Sequence, residues 1–145
     1  MIKNEKKANL TCTIVSHTPY FKNKQGEYIG LNSTVKEIDE ISKLFKKVLH
    51  CAPLHSGTSP KSFVNHQSKN ISVIPLIPSG GLYFKDKMNI ILLFPKNIKI
   101  IKNNLKNTDL LHFRAPTGIG VLFIPWICLF WRKGLWIKYA GSWVD

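Results

Sequence analysis

Apolar residues along this chain alternate between short β-branched runs and longer stretches in which they recur every three or four positions. Residues 10–16, with Thr13, Ile14 and Val15, predict a first strand that Pro19 stops. Residues 18–32 read as a polar loop carrying Gly26 and Gly30. Ser33 or Thr34 then stands as the N-cap of a helix on which Val35, Ile38, Ile41, Leu44, Phe45, Val48 and Leu49 share one face. Lys46 and Lys47 suit the C-terminus of that helix, and residues 49–54 predict a second strand. A Ser-, Gly-, Pro- and His-rich loop covers 55–70, and residues 71–77 predict a third strand that Pro75 confines to a sheet edge. Residues 89–105 have helical spacing, with Pro95 expected to kink or split them. Residues 109–113 form a fourth strand, 118–132 a very apolar helix containing Pro125, and 135–140 a fifth strand.

Helices interleaved with buried strands predict an α/β fold, a Rossmann-like open parallel sheet with helices on both faces. Right-handed crossovers make the expected order 3-2-1-4-5 over the five predicted strands, within one domain spanning 1–145. That order reverses between the first and fourth strands, whose carboxyl ends carry His17 and Arg114. Ligands bind such sheets at this switch point.

Composition narrows the partners. The formal charge is +13, and no acidic residue lies between Glu40 and Asp86. A field of this sign favours anions: phosphates, nucleotides or acidic lipid head groups, or else it is spread over solvated faces. Nucleic acid is disfavoured, because no basic cluster is interleaved with stacking aromatics. Cys12, Cys51 and Cys128 show no metal-ligand spacing and read as buried free thiols of a reducing, cytoplasmic compartment. The longest apolar run, 121–131, is shorter than the roughly 20 residues a membrane span needs. The helix containing it is either buried against the sheet or laid against a membrane interface through Trp126, Trp131, Arg132 and Lys133.

Arg114, directly after an apolar strand, offers a planar charged fork to a phosphate or sugar hydroxyl, and the helix starting near Gly118 adds backbone donors and dipole. A guanidinium tied to a carboxylate is the structural alternative. His17 suits hydrogen bonding or proton transfer, or else bonds a loop carbonyl. His112 alternates into the sheet interior and reads as a core histidine. Gly141, Ser142 and Trp143 bring a turn, a hydroxyl and a flat ring to the same rim; Trp143 either stacks on a sugar or packs internally.

Three features together resemble the N-terminal domain of a GT-B fold, retaining, nucleotide-sugar-dependent glycosyltransferase. They are the opening strand with its Gly-containing loop, Asp109-Leu-Leu-His-Phe-Arg-Ala-Pro at the fourth strand, and Lys138-Tyr-Ala-Gly-Ser-Trp after the fifth. The resemblance covers nearly the whole chain. It implies the acceptor-side half of an enzyme of cell-envelope glycan or polysaccharide synthesis, with the donor-binding C-terminal domain absent and the truncated chain inactive by itself. It implies that Gly30 faces the donor phosphates and that Arg114 and Gly141 to Trp143 border the acceptor cleft. No cofactor is implied beyond the nucleotide-sugar donor, the acceptor is a glycan or a lipid-linked glycan, and catalytic residues are not assigned. An anionic surface at the inner face of the membrane is a further expected partner. The alternative is a non-catalytic α/β binding module, or a membrane-associated subunit, that recognises a phosphorylated or glycosidic ligand.

Overall fold

The computed structural model describes residues 8–80, 84–115 and 120–139. Along the chain it has strands β1 (Ala8–Val15), β2 (Tyr20–Lys22) and β3 (Tyr28–Leu31), helix α1 (Asn32–Ser42), and strands β4 (Phe45–Pro53), β5 (Phe63–Val64) and β6 (Ile71–Leu76). Helix α2 (Phe84–Leu105), β7 (Leu110–Ala115), α3 (Gly120–Phe130) and β8 (Gly134–Tyr139) follow. The protein is α/β. A five-stranded sheet runs β6-β4-β1-β7-β8 with every neighbouring pair parallel. Along the chain these are the sheet's third, second, first, fourth and fifth strands. β6, with Pro75, is an edge strand.

The succession of elements departs from expectation because a second, antiparallel sheet in the order β2-β3-β5 is inserted. Stretches 18–32 and 55–70 are therefore not plain loops. Asn23 makes the first hairpin: its Oδ1 accepts from the backbone N–H of Gln25 and of Glu27, and the flanking residues pair. Tyr20 then points inward and is fully buried.

Helix α1 is shorter than its periodicity predicts. It ends at Ser42, and Phe45, Val48 and Leu49 belong to β4. Apolar spacings of three and four continue across the boundary by coincidence, but β4 lies between β1 and β6, which satisfy its backbone on both sides. Asn70 secures the turn, its Nδ2 donating to the carbonyls of Ser42 and Phe45. Neither Ser33 nor Thr34 caps the helix; both lie inside it after Leu31, and no side-chain cap is made. The Asn32 N–H donates instead to the Ser62 carbonyl, so the neighbouring sheet does part of the cap's work. Helix α2 starts earlier than expected and runs through Pro95 as one element.

Helices α2 and α3 cover one sheet face. Val15, Cys51, Leu76, Leu111 and Phe113 meet Ile101 and Leu105 of α2 and Phe123 and Ile127 of α3 there. Each such side chain contributes roughly 1.5–3 kcal/mol by leaving water. Cys12, Ile14 and Val48 meet Ile38 of α1 on the opposite face, where Tyr20, Val35 and Ala52 extend the core towards the small sheet. Burial pushes the Cys12 and Cys51 thiols up to about 12, whereas Cys128, expected to be buried with them, is exposed on α3. Among the described residues, no helix is long and apolar enough to cross a membrane.

Candidate functional site

The chain builds outward from β1 to β4 and β6, then returns to β1 and places β7 and β8 on the other side, so the switch point lies between β1 and β7. Val15 registers with Phe113, so His17, two residues beyond β1, and Arg114, still paired within β7, lie at the same end of the sheet. Their side chains serve opposite faces. His17 enters a crevice of about 470 Å³ on the α2–α3 side, walled by Ile90 and Ile91 of α2 and by Val121 and Leu122 of α3, with Lys87 also lining it. Burial, and next to it the charge of His55, lower the His17 pKa, so the ring is neutral at pH about 7 and can both donate and accept.

The loop after β6 completes the crevice through Gly80. Asn97 of α2, itself buried, holds that loop by accepting from the Ile77 N–H and donating to the Ile77 carbonyl. Gly80 has φ 102°, and a methyl group there would sit 3.7 Å from His17 Cε1. The glycine is needed for its backbone conformation and not for space.

Arg114 turns to the α1 face, where Nη1 lies 3.0 Å from Glu37 Oε1. Lys138 of β8 donates to the same carboxylate at 2.6 Å. Burial acts to raise Glu37, but the Lys138 hydrogen bond and the Arg114 guanidinium outweigh it and hold the carboxyl below its ordinary value. The described arrangement thus gives Arg114 a carboxylate partner on a helix. Beside it His112 is fully buried, with Nδ1–H donating to the Trp136 carbonyl at 3.2 Å and its ring 4.0 Å from that of Trp136. Burial pushes its pKa down to about 4 against the pull of that carbonyl, and the Arg114 charge lowers it further.

A buried polar chain joins the two sheets. His66 Nδ1 lies 3.0 Å from Asp39 Oδ1, His66 Nε2 2.7 Å from Tyr20 OH, Tyr20 OH 3.1 Å from His50 Nδ1, and His50 Nε2 2.8 Å from Ser16 Oγ. Burial lowers both histidines, His50 well below its ordinary value and His66 despite the opposing carboxylate of Asp39. With both rings neutral the proton positions follow. A carboxylate only accepts, so His66 donates from Nδ1 and accepts the Tyr20 proton at Nε2; the Tyr20 oxygen accepts from His50 Nδ1–H, and Ser16 donates to His50 Nε2. Asp39 also accepts from the Gln67 N–H, which ties α1 to the loop before β6. This polar chain ends at Ser16, one residue before His17.

Gly30 lies in β3 and not beside the crevice. A Cβ there would meet Tyr20 Cζ at 2.6 Å, so the glycine admits the ring that carries the polar chain. Gly118, Gly141, Ser142 and Trp143 lie outside the described residues. Ser16, Tyr20, Asp39, His50 and His66 escape sequence reasoning, although Asp39 had a signal: it falls on the α1 face of Val35 and Ser42, both buried. Among the described residues no group of three or more His, Cys, Asp or Glu could hold a metal ion. No family model, curated protein or solved structure matches this chain.

Proposed function

We propose that this domain holds the acceptor for a sugar transferred from a nucleotide-sugar donor, the donor being bound by a second domain. The observation that carries the reading is the placement of neutral His17 in an open crevice at the switch point of a parallel sheet, with one amine and apolar walls around it. The walls suit a lipid-linked glycan acceptor of cell-envelope or polysaccharide synthesis: Lys87 meets its phosphate, and the two pairs of aliphatic side chains meet its hydrocarbon. Support comes also from the Asp109-Leu-Leu-His-Phe-Arg-Ala-Pro segment, most of which forms β7 beside β1.

Chemically, this chain orients a hydroxyl. His17 accepts a hydrogen bond from the acceptor hydroxyl and can take its proton as the oxygen bonds to the anomeric carbon and the bond from that carbon to the donor's diphosphate oxygen breaks, leaving the nucleoside diphosphate on the second domain. Arg114, Glu37 and Lys138 act beneath the site by tying α1, β7 and β8 together. The test is equilibrium binding of a short-chain prenyl-diphosphate-linked sugar, a free oligosaccharide and a nucleotide sugar to this chain. Saturable binding of the prenyl-linked sugar is expected, weakened about tenfold or more in His17→Ala and in Lys87→Ala. Preference for the nucleotide sugar, or no binding of either glycan, overturns the reading.

A further inference from the structure

The other ends of α2 and α3 carry a second cavity, of about 520 Å³, that the acceptor reading does not use. Trp126, Phe130 and Trp131 supply its rings, Lys102 and Lys106 of α2 and Arg132 and Lys133 after α3 supply its charge, and no carboxylate is among the described residues that line it. The rings are held in place. Trp126 stacks on buried Phe123 at 5.7 Å and lies 5.7 Å from Phe130, while Trp131 Nε1–H donates to the Gly134 carbonyl at 3.0 Å. Lys133 lies 5.7 Å over the Trp131 ring and donates to the Thr108 carbonyl, whereas Lys102, Lys106 and Arg132 are exposed. Next to them Leu129 and Phe130 are 64% and 65% exposed.

Each simpler occupant leaves part of this unexplained. A soluble phosphate accounts for the cations and not for the exposed Leu129 and Phe130; an uncharged apolar ligand accounts for the rings and not for the cations. Aromatic and aliphatic side chains beside a cluster of Lys and Arg are the composition that sits at the boundary of head groups and acyl chains. We propose that this end of the α2–α3 pair docks on an anionic phospholipid bilayer, Phe130 and Leu129 entering the acyl boundary and Lys102, Lys106 and Arg132 meeting the lipid phosphates. At their crevice end the same helices expose Ile91, Leu92 and Val121. α2, with 22 residues, is about 33 Å long, so one helix pair links the docking surface to the crevice. This deepens the acceptor reading by fixing to the bilayer, from which a lipid-linked acceptor would be drawn, the helix pair whose other end walls the crevice, yet the docking needs no sugar.

The test is co-sedimentation of the chain with vesicles of phosphatidylcholine alone and of phosphatidylcholine mixed with phosphatidylglycerol, at low and high salt. Binding to the anionic vesicles only is expected, weakened by salt. Lys102→Ala combined with Lys106→Ala should lower partitioning about thirtyfold, from the usual contribution of a cation near such a surface. Lys46→Ala combined with Lys47→Ala removes the same charge from exposed positions of β4 and should change it far less. Phe130→Ser should remove the part of the binding that survives high salt. Urea unfolding of each variant establishes that it is folded. Absence of binding to anionic vesicles, equal losses for the two lysine pairs, or full competition by free glycerol phosphate would each overturn the proposal. Because no sugar enters these measurements, they can fail while acceptor binding succeeds, and the reverse.

Discussion

His50 shows how a single buried side chain couples this protein to pH. Burial, and then the charges of His66, Arg114 and His112, push it well below its ordinary value, and burial pushes His112 down to about 4. Unfolded histidines titrate near about 6.5, so as pH falls through that value the unfolded chain takes up protons that the folded chain refuses. Stability is therefore full above that pH and declines below it, by up to about 1.4 kcal/mol per pH unit for each such histidine. Urea unfolding at pH about 7.5 and about 5.5 measures the decline, and His50→Gln should flatten it by one histidine's share. An unchanged slope in that variant would mean that His50 takes up its proton at the same pH in the folded chain as in the unfolded one. His112 was legible as a core residue because alternation along one strand is enough to place it. His50 was not, since its partners Ser16 and Tyr20 lie 34 and 30 residues away.

Among the elements, α1 does more than cover a sheet face. Through Glu37 it grips both Arg114 of β7 and Lys138 of β8, and the Arg114 side chain is only 13% exposed. Glu37→Gln would leave two cations sharing a neutral amide, and a loss of about 1–3 kcal/mol is expected in thermal or urea unfolding. Glu40→Gln on the same helix breaks a solvent-exposed pair with Lys43 and should cost under about 1 kcal/mol. Similar losses for the two variants would show that the Glu37 cluster holds nothing together. The existence of α1 was readable from its periodicity, but its end was not. Phe45, Val48 and Leu49 satisfy a helical pattern and a buried parallel strand equally well, and flanking β1 and β6 decide for the strand.

At the scale of the molecule, the sheet is asymmetric. β6 ends it with Pro75, a residue that resists further pairing, whereas β8 ends it with Leu135, Trp136, Ile137 and Tyr139 between 40% and 64% exposed. An apolar terminal strand of this kind is a template for association. The chain is expected to self-associate as its concentration rises, and Ile137→Lys should shift sedimentation towards the monomer; a variant that associates like the parent places the contact elsewhere. None of the described residues that line the docking end of α2 and α3 belongs to β8, so lipid binding and self-association should respond to different substitutions.

By itself the order of apolar, β-branched and glycine- or proline-marked positions determined the α/β class, the five parallel strands and the sheet end at which His17 and Arg114 emerge. Those properties follow from periodicity, which is local and records which residues leave water. Tertiary packing alone decided that His17 and Arg114 serve opposite faces, that a small antiparallel sheet carries Tyr20 into the core, and that Lys138 reaches Glu37 across 101 residues. A buried polar group must find its partner in space, and no local spacing records where distant segments will bring one.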